Sequence, residues 1–367
     1  MRRIILSLLF AALGSHVQAS DIATNPDEKL PKSMLFHHLA QDVMLPLTQQ
    51  FAQAAAGLAD TAKAFCATPH EADLAEVRTA WRTAQAAWQP LEMLQLGPII
   101  ERRTQQQVNA WPLRLRLLER LLAEEQPVQV AQVDALGAAG KGFPALEYLL
   151  FTPGKTDTDT THALSGKSCS ALQALAAHIG SEANGLATAW REPNGGFARQ
   201  LAEAGNHPQD GAFATADQAL SDIANLLIAG LDAVKSRKLG KALEQDDNAA
   251  ALERIESWRS GTSLDHLRAN LRGFELVFFG AGTDGIGLDD YLVGLSRPVL
   301  PRLVRQDLHA AQTALAAIRP PLRTALTSQR PQIEALHKAL TQLQRRMEDD
   351  IADALKVDLG FNTSDGD

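Results

Sequence analysis

Cysteine is scarce in this sequence: Cys66 and Cys169 are the only two. That number excludes zinc sites built from several cysteines. Beyond the first residues, no apolar run approaches the roughly 20 residues that a membrane-spanning helix needs. A basic excess is also missing. Lys and Arg total 35 against 43 Asp and Glu, a net charge of −8, which argues against nucleic acid as a partner, since that role needs a basic footprint. Aromatic residues make up only 5% of the chain, and no stretch alternates apolar and polar residues as a half-buried strand does. Familiar signatures of chemistry are absent as well: there is no H-E-x-x-H, no G-x-S-x-G and no phosphate-binding P-loop.

What is present begins with an export signal. Arg2 and Arg3 form a positive start, Ile4 to Leu13 is apolar apart from Ser7, and Val17-Gln18-Ala19 supplies the residues a signal peptidase reads. Cleavage is expected after Ala19, giving a mature chain that begins at Ser20 in the periplasm. Removal of residues 1–19 takes away two arginines and no acid, which leaves a net charge of −10. No cysteine follows the apolar run, so a lipid-anchored mature N-terminus is not expected. In an oxidising compartment the two cysteines are expected to pair, Cys66 with Cys169.

Ala, Leu, Gln and Arg dominate the rest, a mixture that favours helix over sheet. Hydrophobic periodicity predicts helices over 33–66, 71–95, 103–125, 142–151, 168–190, 211–238, 244–260, 263–279, 297–326 and 328–356. The third is interrupted or restarted at Trp111-Pro112, because proline lacks a backbone donor and disfavours helix before it. The polar stretches 152–168 and 191–196 have loop composition. The fold class is all-α with two helical bundles, residues 20–193 and 194–367, behind a signal peptide at 1–19. GFPALEYLLF at 142–151 is faintly echoed by GFELVFFG at 273–280, as either a duplicated bundle or the chance likeness of two amphipathic helices would produce.

Two glutamates stand out. Leu74, Val77, Trp81, Trp88 and Leu91 form a core-facing stripe, and Glu92 falls on or beside it, four residues after Trp88. Glu147 lies on a very apolar short helix, four residues after Phe143 and three before Leu150. A carboxylate in such a place must be paired, protonated or bound to a cation. An ordinary salt bridge to Arg102, Arg103 or Arg114 is the competing explanation. Glu92, Trp111 and Glu147 are expected to converge on one polar patch in the first bundle, with Arg103 nearby.

The order of the pieces is informative. A signal peptide is followed by AWRTAQAAWQPLEMLQLGPIIERR, NAWP, KGFPALEYLLF, SGTSLDHLRANLRGFELVFFG and a closing FNTSDGD. This order resembles the imelysin family, also called peptidase family M75, and within it the branch of predicted periplasmic proteins or lipoproteins. The resemblance covers nearly the whole mature chain. It implies a two-domain all-helical fold, a periplasmic or surface location and a part in iron acquisition. It also implies iron or another divalent metal as ligand and other envelope iron-uptake proteins as partners.

The family marker is G-x-H-x-x-E. Gly142 and Glu147 occupy its first and last positions, and Pro144 replaces the histidine. Residues three apart on a helix share a face, so the marker's His and Glu can hold a metal jointly. Proline offers no ligand atom but suits the first turn of a helix. Glu147 and Glu92 are therefore the metal-ligand candidates, and Asp365 and Asp367 in the closing motif are lesser ones. The function expected is non-catalytic binding of a metal ion, a metal complex or an envelope partner. Two rival readings are an M75-type metallopeptidase and a protein-interaction module without metal. The first needs several ligands, an open coordination position and a base, a set that the sequence does not display.

Overall fold

A computed structural model describes residues 30–191, 196–207, 209, 211–243 and 253–357, and every regular element among them is a helix. The expected signal peptide with its cleavage point at Ala19, the proposed boundary at 193/194, and Asp365 and Asp367 lie outside the described residues.

The first half is organised by three long helices. Helix α1 (Leu45–Ala67) continues from Lys32–His38 through a π-helical turn at Leu39–Met44. Its buried residues Leu47, Phe51, Ala55, Leu58, Ala62 and Phe65 recur at steps of three and four, the spacing of one helix face. Helix α2 (Glu71–Glu92) repeats the pattern with Leu74, Val77, Trp81, Ala84, Trp88 and Leu91. It ends two residues after Pro90, which cannot donate to the helical ladder. After the short helix α3 (Gly142–Leu150) comes α4 (Lys167–Arg191), which packs on α1. Small residues set that distance: a Cβ placed on Gly180 would lie 3.5 Å from the Ala55 carbonyl oxygen. The Cys66–Cys169 disulfide joins the end of α1 to the start of α4.

In the second half, α5 (Ala216–Asp232) runs through another π-helical stretch, Ala233–Gly240, into Lys241–Leu243. Helix α6 (Ser263–Phe279) lies against α2 of the first half. Helices α7 (Val299–Ala316) and α8 (Arg330–Arg345) pack on each other and close the outer side.

Local chemistry explains where the helices depart from the sequence reading. The span 103–125 is two short helices, Thr104–Val108 and Leu115–Ala123, separated by non-helical chain around a cis Trp111–Pro112 peptide. The span 297–326 breaks at Pro320-Pro321 and restarts as Leu322–Ser328. The polar stretch 152–168 holds a helix after all, Asp157–Ala163. There Thr156 and Asp159 form a reciprocal cap, each side chain accepting from the other's backbone N–H at 3.1 Å. Of the helix expected over 244–260, residues 244–252 lie outside the described residues, and 253–261 form turns. Ser257 and Gly261 adopt positive φ in this segment, and Glu256 and Ser260 turn inward to polar partners.

Two glycines bring backbones unusually close. A Cβ on Gly142 would lie 2.3 Å from the Val108 carbonyl oxygen, and one on Gly273 would lie 2.7 Å from that of Pro90. The Gly-Phe echo has this use in common, but Gly142 opens α3 whereas Gly273 lies inside α6.

Unreduced, denatured protein should contain no alkylatable thiol. Replacing both cysteines with alanine should lower unfolding free energy by about 2 kcal/mol, the lower end of the usual range for a native bridge, because the α1–α2–α4 core packs without it. Urea titration of the two proteins measures the difference.

Candidate functional site

Polar residues interrupt the apolar faces where α2 meets α6. On α2, Gln85, Gln89 and Glu92 follow one another at four and three residues, hence on one face. On α6, Ser263, His266 and Asn270 do the same. Two further segments of the second half reach into the contact: the π-helical stretch Ala233–Gly240 brings Lys238, and the turns at 253–261 bring Glu256 and Ser260. Nearly all of these side chains are buried.

Lys238 is the centre of the cluster. Its ammonium donates to Gln89 Oε1 at 2.7 Å, to Asn270 Oδ1 at 3.0 Å and to Glu92 Oε2, and it lies 2.9 Å from Glu256 Oε2. Four oxygens thus surround a group with three protons. The second carboxylate is held further: Asn109 Nδ2 and Gln89 Nε2 donate to Glu256 Oε1 at 2.7 and 3.2 Å. Gln105 Nε2 donates to the other Glu92 oxygen at 3.0 Å. Asn270 Nδ2 donates to the Gln89 backbone carbonyl at 2.7 Å.

The chain of contacts continues towards Glu147. His266 Nδ1 lies 3.6 Å from Glu256 Oε2, and its Nε2 lies 3.1 Å from Thr262 Oγ1. Thr262 Oγ1 lies 2.9 Å from Ser260 Oγ. Ser260 donates both its backbone N–H and its hydroxyl to Glu147 Oε1 at 2.8 Å. Glu147 and Glu92 are therefore the two ends of one buried polar row running between the halves of the chain.

The Glu147 end differs electrostatically from the middle. Burial alone would lower the Lys238 pKa, but the carboxylates of Glu256 and Glu92 outweigh it and hold the ammonium above the ordinary lysine value. Burial also pushes Glu256 up, yet Lys238 and then His266 hold it well below the usual carboxylate range. Among the described residues no cation is within ion-pair distance of Glu147. Burial raises its pKa, and the two Ser260 hydrogen bonds only partly offset that. The middle of the row thus holds its charges by ion pairing, one ammonium between two carboxylates, while burial shifts its Glu147 end towards the protonated acid.

The residues singled out in the sequence distribute unevenly around this row. Glu92 and Glu147 are both in it, at opposite ends rather than on one patch inside the first bundle. None of Arg102, Arg103 and Arg114 pairs with either of them. Arg102 bonds Glu182 through two nitrogens, at 3.1 and 2.8 Å, and Arg103 is an exposed residue in the left-handed region before Thr104–Val108. The actual partner of Glu92, Lys238, lies 146 residues further on. Trp111 lines a cleft on the outer side of Lys238. Gly142 seats the start of α3 on Val108, and Pro144 sits half-buried in the first turn, three residues before Glu147.

Lys238, Glu256, His266 and Asn270 were not singled out. For the last two a signal existed: His266 and Asn270 stand four apart in SGTSLDHLRANLRGFE, on the face that carries Leu267, Gly273 and Phe274. Lys238 sits in SRKLGK, a run that reads as solvated charge.

The class so defined is an all-helical protein whose two halves close on a buried row of charged and amide side chains. Among the described residues no group of three or more His, Cys, Asp or Glu is arranged to hold a metal ion, so they do not supply the ligand set of a metallopeptidase. Residues 44–347 match the model of the imelysin family, peptidase M75, and the chain belongs to that family. It is 29% identical over 299 residues to iron-regulated protein A of Synechococcus elongatus, covering 80% of this chain and 78% of that one. Two crystal structures share the fold. One, from Parabacteroides distasonis, is of a protein proposed to be an iron-regulated protein A precursor. It superposes with a TM-score of 0.75 at 18% identity, over 89% of this chain and 94% of its own. The other, an imelysin-like protein from Psychrobacter arcticum, gives 0.71 at 18% identity, over 91% and 99%.

Lys238→Met should cost about 3–5 kcal/mol in urea unfolding, because it leaves two buried carboxylates without their cation. Adding Glu256→Gln to that variant should recover part of the loss, since a neutral amide tolerates burial better than an unpaired charge. Glu147→Gln should keep the fold, because the amide oxygen can still accept from Ser260. Its stability relative to wild type should rise with pH. The raised Glu147 pKa means that wild type loses stability as pH climbs from the ordinary glutamate value through the folded one. Thermal unfolding of both proteins at pH 5 and pH 8 tests the sign.

Proposed function

We propose that this chain is a non-catalytic binding protein of iron acquisition in the cell envelope, one that takes iron as a complex and not as a bare ion held by clustered side chains. One observation carries the reading. The oxygens best arranged for a cation, those of Glu92, Glu256, Gln89 and Asn270, already converge on the Lys238 ammonium. A bare ion would have to displace a tethered cation that two carboxylates hold. At the marker position Pro144 offers no donor, and Glu147 Oε1 is occupied by Ser260. The link to iron rests on family membership and on the name of the cyanobacterial relative.

The cellular setting follows from the N-terminal signal: export, cleavage after Ala19 and a periplasmic mature chain. Among the described residues no helix is long and apolar enough to cross a membrane. The division into bundles at 20–193 and 194–367 puts the buried row at their seam, with Glu92 and Glu147 contributed by the first and Lys238, Glu256 and Ser260 by the second.

Anaerobic calorimetric titration of the mature protein with Fe(II) and with zinc should give no tight binding. Pro144→His, which sets an imidazole three residues before Glu147, should improve zinc affinity about tenfold or more. Tight binding by wild type, abolished by Glu147→Gln and not improved by Pro144→His, would overturn the proposal and make the marker glutamate a ligand as it stands. A deletion strain should grow poorly under iron limitation and recover with the wild-type gene; unchanged growth would remove the iron link.

A further inference from the structure

A cleft of about 310 Å³ opens on the outer side of Lys238. Its walls come from the chain around Trp111-Pro112, from the π-helical stretch with Lys241-Ala242, and from Arg254-Ile255. Two properties distinguish it from the rest of an acidic protein. The first is charge. Arg237, Lys241 and Arg254 all line it and are exposed, and among the described residues no carboxylate lies within ion-pair distance of any of them. Lys238 also borders the cleft, but its charge is already matched by Glu92 and Glu256. The second is the kind of polar group on offer. The Arg237 and Arg254 guanidinium groups and the Lys241 ammonium are donors only, and no acceptor side chain lines the cleft among the described residues. Between these groups the walls are apolar, formed by the Trp111 ring, Pro112, Ala242 and Ile255.

A ligand for such a cleft must be rich in acceptors and negatively charged, and it must carry a carbon skeleton to cover the apolar walls. Arginine forks match carboxylates in a bidentate way. The Arg237 guanidinium lies 6.0 Å from the centre of the Trp111 ring, so charge and apolar surface are presented side by side. The volume is at the small end of ligand sites, which suits a small molecule better than a polymer. We propose that this cleft binds a small organic polycarboxylate, free or as the carboxylate shell of a metal chelate. The chelate form rests on the reading of the chain as an iron-binding protein. The free anion does not.

The test is calorimetric titration of the mature, disulfide-bonded protein with citrate, with inorganic phosphate and with ferric citrate, in low and moderate salt. Citrate should bind, more weakly as salt rises. Its affinity should fall at least about tenfold in Arg237→Gln/Arg254→Gln, whose side chains are exposed and whose loss leaves the core and circular dichroism unchanged. Absence of citrate binding, or binding that the double variant leaves unchanged, would overturn the site. Phosphate binding as tightly as citrate would overturn the organic class and leave a simple oxyanion site. Citrate binding without ferric citrate binding would keep the cleft and remove the iron form. Ferric citrate bound equally by wild type and the double variant would keep the iron reading and remove the cleft.

Discussion

The Lys238 ammonium, seated between Glu92 and Glu256, is the contact on which the rest of the structure depends. Each of these groups would be costly to bury alone, by several kcal/mol. They are tolerable only together, and they come together only when four segments are in place: α2, α6, the π-helical stretch after α5, and the turns at 253–261. A buried ion pair of this kind adds little net stability over an apolar contact of the same volume. What it adds here is exclusivity. A shift of the second half along α2 by one turn would part Glu92 from Lys238 and the Gln89 carbonyl from Asn270, so the row fixes the register in which the second half docks. Gly273 makes that register sterically possible. Its lack of a side chain lets α6 approach Pro90 closely enough for Asn270 to reach the Gln89 carbonyl.

The row also has a polarity. Glu256 is depressed and Glu147 is raised, so acid acts in opposite senses on the middle of the row and on its Glu147 end. As pH falls through the raised Glu147 value to the ordinary glutamate value, the cost of burying ionised Glu147 is relieved; as it falls further, the stability contributed by ionised Glu256 is lost. Ser260, Thr262 and His266 lie between these two carboxylates.

Much of the fold was legible in the sequence because helix periodicity is a local property. Helices α2, α4 and α6 announce themselves through apolar residues three and four apart, and the spans 71–95, 168–190 and 263–279 coincide with them to within a few residues. Failures occurred where local chemistry overrode periodicity. The paired prolines at 320 and 321 split one helix, and a side-chain cap built a helix inside a polar stretch. The site was half legible. Glu92 and Glu147 stood out because a carboxylate on an apolar stripe needs an explanation within its own helix. Lys238 and Glu256 did not, because both lie in stretches as polar as any surface. Their burial follows from tertiary contacts across more than a hundred residues, and nothing in a charged run says which of its members will turn inward.

The Cys66–Cys169 bridge makes a closed covalent ring of everything between the two cysteines. Glu92, the Trp111 wall of the cleft, and Glu147 are inside that ring; Lys238, Glu256 and Ser260 are outside it. The exposed backbone between Phe151 and Asp157 is part of the ring as well. A protease that cuts there does not divide the molecule, because α1 and α4 remain tethered through sulfur. The first half is thus armoured against a single nick, whereas the second half, which carries the other side of every interface contact, has no such insurance beyond its packing.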